Sequence, residues 1–445
     1  MSTSVDATAA DTWFGADDDT REHPELVLVH HRDLARCGSV LRLFPGDDLQ
    51  LGRGTELSGF GVLDDGRLSR AHARLTYRDG LLELTDLKSR NGTWVDGASV
   101  TSTRLLPGAV VGLGDLLFVV RWAPGRRPAP IDAPGWTGES VALGRTLAAL
   151  RDVAPLDSPV LILGETGTGK ELAARELHRA SGVPGPFIAV NCGAMPDALL
   201  HSELFGHTRG AFSGADRPRT GLIEGAGGGS IFLDEVGEAS EQLQAALLRV
   251  IQERELRPVG GNRSVRVTAR FIAATHRDLP TWVSSGRFRE DLFARLARWT
   301  VTLPPLRERR EDILDLARGV AERVAGFPVR FHPKVAERFL LHHWPQNIRE
   351  LQGVVERVVV RAGRPVVVGP DPAINPDLPG AGRRPRAETA PSGGSAKTRL
   401  SPDDLRRLLA ANDGNMKACA EAAGVGRNTF YRWVRQAGID PASFR

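Results

Sequence analysis

The tightest constraint on this chain is a short apolar run, Val160-Leu161-Ile162-Leu163, that leads straight into Gly164-Glu165-Thr166-Gly167-Thr168-Gly169-Lys170-Glu171. A brief apolar run closed by glycine reads as a buried strand. The glycines let the backbone wrap an anion with its own N–H groups, and a helix starting near the lysine adds its positive end. Lys170 is suited to reach the β- and γ-phosphates of a nucleoside triphosphate. The Ser or Thr that usually follows this lysine is replaced by Glu171. Such a loop calls for a strand–loop–helix unit, and so for an α/β sheet domain.

A second pattern, Gly228-Gly229-Ser230-Ile231-Phe232-Leu233-Asp234-Glu235, is an apolar strand ending in two acids. Asp234 is suited to hold Mg²⁺ and Glu235 to polarise an attacking water. Paired with the glycine loop, these acids read as an NTPase site using ATP and Mg²⁺.

One domain does not account for 445 residues. Residues 1–24 are acidic, with Asp17, Asp18 and Asp19 in a row, and read as a disordered tail. From 25 to 122, short apolar alternations such as Glu25-Leu26-Val27-Leu28-Val29 and Ala73-Arg74-Leu75-Thr76-Tyr77 predict a β-sandwich. A proline-rich linker spans 123–136, and α/β patterns fill 137–369, becoming purely helical from about 309. A second linker covers 370–400, and 401–445 carry short helical patterns, with Ser401 as an N-cap. No apolar stretch approaches the length of a membrane span. Cys37, Cys192 and Cys419 lack metal-ligand spacing. A cytoplasmic protein without disulfides is expected.

Residues 137–369 resemble the AAA+ domain of bacterial enhancer-binding proteins, the activators of sigma-54 RNA polymerase. The resemblance runs through the glycine loop, Asn191-Cys192, Glu203-Leu204-Phe205-Gly206-His207, Phe288-Arg289-Glu290-Asp291-Leu292, Leu303-Pro304-Pro305-Leu306-Arg307-Glu308-Arg309 and Trp344-Pro345-Gln346-Asn347-Ile348-Arg349-Glu350-Leu351. It implies that Asn191 senses the nucleotide and pairs with Glu235. It also implies that Arg289 and Arg295 are arginine fingers in a neighbouring subunit's site, and that Arg349 is the lid arginine on bound nucleotide. Fingers acting in trans imply a homo-oligomer, a hexameric ring when active. His276 stands where the family has a sensor Asn beside the γ-phosphate, and Gln346 where it has Gly. Gly210, Ala211, Phe212, Ser213, Gly214 and Ala215 match the polymerase-contacting loop, with Ser213 in place of Thr.

Residues 26–122 resemble a forkhead-associated (FHA) domain, a β-sandwich that binds phosphothreonine on its loops. The matching groups are Gly52-Arg53, Ser69-Arg70-Ala71-His72 and Ser89-Arg90-Asn91-Gly92-Thr93. Arg53 and Arg70 suit a phosphate dianion, Ser69 adds a hydroxyl, and Ser89 or Arg90 adds contacts. Asn91 is suited to grip the peptide backbone. The resemblance gives His72 a bracing role. The implied partner is a threonine-phosphorylated protein, or this chain's own tail with Thr3, Thr8, Thr12 and Thr20.

Asn415-Met416-Lys417-Ala418, a Gly424-Val425-Gly426 turn and Arg427-Asn428-Thr429-Phe430-Tyr431-Arg432-Trp433-Val434-Arg435 predict a helix-turn-helix. It resembles the Fis-type module. Arg427, Asn428, Thr429, Tyr431, Arg432 and Arg435 are its candidate DNA contacts. The combined reading is an ATP-driven activator of sigma-54 polymerase, bound to upstream DNA, governed by phosphothreonine and independent of membranes. Two readings stay open beside it: an ATPase that regulates transcription without engaging sigma-54, and a non-hydrolysing phosphopeptide–DNA adaptor.

Overall fold

The computed structural model describes residues 22–124, 133–211, 215–363, 366–370 and 409–410. The helix-turn-helix residues 427–435, the tail, and Phe212, Ser213 and Gly214 lie outside the described residues.

The first region is a two-sheet antiparallel sandwich. One sheet runs Val40–Arg42, Glu22–His30, Leu116–Pro124, Val110–Leu113, Thr93–Val95, Ala98–Val100 in spatial order. The other runs Ser102–Arg104, Leu81–Asp86, Ala73–Arg78, Asp48–Leu51. Alternating side chains such as Leu26, Leu28, Leu75, Leu84 and Phe118 fill the space between them. The first strand starts at Glu22, three residues earlier than the sequence pattern suggested. That strand is buried on both faces, because Val27 and Val29 turn outward against helices of the next region. A sheet covered on both sides needs apolar residues at consecutive positions, which is what residues 26–29 provide.

The second region holds a five-stranded parallel sheet in the order Phe187–Asn191, Ser230–Asp234, Arg270–Thr275, Val160–Leu163, Thr300–Thr302. The Val160–Leu163 strand is flanked on both sides and nearly dry, which explains its unbroken apolar run. The helix Lys170–Ser181 begins at the lysine itself. Ser140 caps the preceding helix, Val141–Val153, by accepting from the Leu143 N–H.

Beyond the sheet, helices Ile313–Ala325, Pro333–Leu341 and Asn347–Arg361 pack around the fully buried Trp344. This part is not purely helical: Arg330–Phe331 pairs in parallel with Val367–Val368. Two-residue strands fall below what alternation can reveal. Among the described residues, no helix is long and apolar enough to cross a membrane.

Candidate functional site

The glycine loop sits at the carboxyl end of the parallel sheet, where strands hand over to helices and leave a crevice. Gly167 and Gly169 have φ of 79° and 104°, which glycine adopts without strain. At Gly167 a Cβ would stand 2.1 Å from the Gln346 carbonyl oxygen, so the loop touches the helical lid backbone to backbone. Ile348 N–H donates to the Gly167 carbonyl at 3.1 Å, closing that contact.

A cavity of about 760 Å³ opens here, lined by residues 166–171, Asn191, Asp234, Glu235 and the lid's Arg349. Lys170 is almost wholly buried; its Nζ donates to the Gly164 carbonyl at 3.2 Å and lies 3.2 Å from Glu235. Asp234 ends its strand, and Glu235 follows with φ of 52°, a left-handed conformation that is uncommon for a side chain of this kind. Burial drives the Asp234 carboxyl upward, the Glu235 charge adds to this, and Lys170 only partly opposes it. Burial would also raise Glu235, but hydrogen bonding from His276 and the Lys170 charge outweigh it and hold Glu235 below the usual range. Burial, with the charges of Asp234 and Glu235, pushes the Cys192 thiol up to about 12. A thiol held protonated is inert.

Asn191 lies opposite Asp234 on the paired strand. Its side-chain oxygen accepts from the Gly193 N–H at 2.9 Å, and among the described residues no bond joins it to Glu235. His276 takes that position, its Nδ1 lying 2.6 Å from Glu235. Arg349 is exposed at the cavity rim. Glu171, exposed, pairs with Arg175 one turn along. Arg289 and Arg295 are exposed and outside this cavity, and Arg289 pairs with Asp291 at 2.7 Å.

Two residues without an assigned role in the sequence reading, Arg307 and Asn347, tie loop and lid together. Arg307 grips Glu165 through two bonds of 2.8 and 2.6 Å. Asn347, buried with φ of 53°, donates to Glu165 at 3.1 Å and to the Thr166 carbonyl at 3.0 Å. The Arg307 bonds, followed by the Asn347 bond, hold the Glu165 carboxyl below its ordinary range despite some burial. Trp136 Nε1 and Arg309 Nε line the cavity region as buried donors without a hydrogen-bond partner among the described residues. Unpaired buried donors beside a cationic lysine suit a ligand rich in acceptors, such as a nucleotide. For Asn347 the available signal was an Asn two positions after Pro345, a residue type that tolerates left-handed backbone.

The residues of the loop matching the polymerase contact are described only at its base. Gly210 N–H donates to the Ala215 carbonyl at 2.8 Å, above the antiparallel pair Gly206–His207 and Arg219–Thr220.

The sandwich presents the second cluster. Ser69 joins three loops: its carbonyl accepts from Arg53 N–H at 2.8 Å, and its hydroxyl accepts from Arg90 N–H at 3.0 Å. Fully buried His72 accepts from Ser69 N–H at Nδ1 and donates from Nε2 to the Gly92 carbonyl, each at 3.1 Å. Arg53, Arg70 and Arg90 are exposed, and no side-chain partner holds any of the three among the described residues. Ser89 turns inward instead, donating to Asp86 at 2.6 Å, so it shapes the loop rather than offering its proton outward. Asn91 Nδ2 donates to the Arg67 carbonyl at 2.6 Å.

Comparison with known proteins assigns these regions. The family profile of the Sigma-54 interaction domain matches residues 136–302, that of the AAA+ ATPase lid domain 307–371, and that of the FHA domain 49–114. The chain is 42% identical over 306 residues to the transcriptional regulatory protein GlrR of Escherichia coli K12, covering 68% of this chain and 67% of GlrR. It is 47% identical over 227 residues to the Nif-specific regulatory protein of Azotobacter vinelandii, covering 50% of this chain and 44% of that protein. A crystal structure of NtrX from Brucella abortus with ADP is 31% identical with a TM-score of 0.49, covering 68% of this chain and 69% of that one. The chain belongs to the sigma-54 enhancer-binding transcriptional regulators, a family built on an AAA+ ATPase, and carries an FHA domain ahead of it.

Proposed function

We infer that the protein hydrolyses ATP in the cavity between the glycine loop and the lid and uses the cycle to activate sigma-54 RNA polymerase. One observation carries the chemistry: Lys170, Asp234 and Glu235 converge at the mouth of a parallel sheet, with Glu235 3.2 Å from Lys170 and held ionised. A carboxylate held in its charged form can orient an attacking water, while the lysine meets the transferring phosphoryl group. Asp234, raised by burial and by a like charge, is a site that a divalent cation would relieve. No cluster of three or more ligating side chains exists among the described residues. Mg²⁺ would therefore be held by Asp234 together with phosphate oxygens, as that ion prefers, and would neutralise phosphate charge there.

The remaining assignments extend this reading. Arg289 and Arg295, exposed and away from their own cavity, suit arginine fingers serving a neighbour in a hexameric ring. The loop containing Phe212, Ser213 and Gly214 would meet sigma-54, and residues 427–435 would hold upstream DNA. Unpaired Arg53, Arg70 and Arg90 support a phosphothreonine partner, because a dianion needs charge-assisted donors free of internal carboxylates. A second reading draws on the 2.6 Å contact of His276 with Glu235: with its catalytic carboxylate so engaged, the site would bind ATP without turnover.

ATP turnover by purified protein, compared with Glu235→Gln, separates the two. Turnover that falls by about 100-fold or more in the variant supports the hydrolytic reading. Equal background in both, with ATP still bound, rejects it. Promoter opening by sigma-54 polymerase that needs ATP and fails in Phe212→Ala tests the partner; turnover without opening points to a regulator of another polymerase form.

A further inference from the structure

A sandwich sheet facing water alternates apolar and polar residues, but this one does not. Val27, Val29, Val110, Leu117 and Val119 point away from the sandwich core and are all at least 96% buried, in one cluster with lid residues that include Leu314 and Phe331. Polar anchors surround this seam. Arg310, buried, donates to the Gly108 carbonyl at 2.7 Å and sits 3.6 Å from Asp96. Arg121 lies between the sandwich's Glu25, at 2.9 Å, and the lid's Glu311, at 3.5 Å. The outer face of the sheet is thus an interaction surface whose partner is the lid of the same chain.

A line of polar contacts runs beside that surface from the candidate phosphothreonine loops to the lid. Asn91 Nδ2 donates to the Arg67 carbonyl at 2.6 Å, and the Arg67 guanidinium lies 3.3 Å from the Asp115 carboxylate. Asp65 fixes both members by accepting from the Arg67 and Asp115 N–H groups at 2.6 and 3.1 Å. His30 stands between two carbonyl acceptors, Nδ1 at 3.0 Å from the Asp115 oxygen and Nε2 at 2.9 Å from the Phe331 oxygen of the lid, and a neutral ring donates to one of them at a time. The lid helix Ile313–Ala325 then has two sides at once. Leu314 and Ala321 belong to the cluster shared with the sandwich, Gly319 and Arg323 line the nucleotide cavity, and Leu316 and Val320 touch both.

We propose that phosphothreonine binding on the sandwich and ATP binding under the lid are energetically coupled through the Asn91–Arg67–Asp115–His30–Phe331 line and the lid helix behind it. This rests on reading the loop cluster as a phosphothreonine site. A peptide that pulls Asn91 off the Arg67 carbonyl changes the line at its first member. The lid, held at its last, is the element that both ligands bias. Coupling of this kind is reciprocal: each ligand changes the other's affinity by the same factor.

The test uses the full chain, a fluorescent non-hydrolysable ATP analogue, and a degenerate peptide library with a central phosphothreonine beside its unphosphorylated twin. The expected result is a change of about five-fold or more in analogue affinity, in either direction, with the phosphorylated library alone. Arg67→Ala, whose side chain is 61% exposed, and His30→Ala should each bind the phosphorylated library normally yet reduce the change to less than about two-fold. Amide exchange around Phe331 should respond to the phosphorylated library in the parent and not in His30→Ala. A parent that binds both ligands without affecting either overturns the coupling, and a full-sized change surviving in both variants overturns the route. A parent that ignores the phosphorylated library removes the phosphothreonine reading itself, and the coupling with it.

Discussion

Asp86 ends a sandwich strand and accepts from three donors: Ser89 N–H at 3.1 Å, the Ser89 hydroxyl at 2.6 Å and the Thr93 hydroxyl at 2.7 Å. Burial would raise its carboxyl, but the bonds from Ser89 and Thr93 outweigh it and bring it below the ordinary value. A carboxylate depressed in the native state stabilises it above the unfolded pKa, and that contribution is lost as pH falls through the lower native value. Asp86→Asn should therefore lower stability by about 1–2 kcal/mol at neutral pH, with the deficit shrinking below about pH 4. Urea unfolding of parent and variant at neutral and acid pH measures this. The opposite outcome, a deficit growing in acid, would rule out an ionised Asp86 as the stabilising form. Ser89 illustrates what a motif leaves open at this scale. Its position marks the loop, but whether its hydroxyl turns out or in depends on Asp86 and Thr93 around it.

Among elements, the glycine loop was plain in the sequence because everything it needs lies in consecutive residues: an apolar strand, glycines and a lysine at the helix start. Its fastening to the lid was not. Glu165 meets Arg307 and Asn347, which stand 142 and 182 positions away, and Asn347 fits only because its backbone is left-handed. Gly167→Ala should push the loop off the lid, since the new Cβ would lie 2.1 Å from the Gln346 oxygen. We expect ATP affinity to fall by about ten-fold or more, the equivalent of losing one hydrogen-bonded contact to a charged ligand. Gly182→Ala is the matched control: its φ is also positive, at 66°, but nothing stands within 4 Å. It should cost about 1 kcal/mol of stability and leave binding alone. Titration of a fluorescent nucleotide reads both, and equal losses in the two would mean that backbone strain alone, not the lid contact, sets affinity.

Across the whole molecule, the sandwich and the lid share one apolar cluster, so they should unfold together rather than as separate domains. Val119→Asp would leave a charge uncompensated in that seam, at a cost of about 3–5 kcal/mol. Calorimetry should then resolve a sandwich transition from an ATPase transition, where the parent gives one. Two transitions in the parent would mean that the seam contributes little. The chain's local patterns were enough to establish two folds and their order, because alternation, glycine punctuation and charged loop residues act over a few neighbouring positions. They also placed Lys170 at a helix start, since that role depends on nearby backbone, whereas the bracing role of His72 came from the resemblance to FHA domains. Which surface of the sandwich meets the lid, and which residue holds Glu235, came from packing between segments far apart in sequence. A carbonyl acceptor such as that of Phe331 carries no signature in residue type, and a run of valines looks the same whether its second face meets water or another domain.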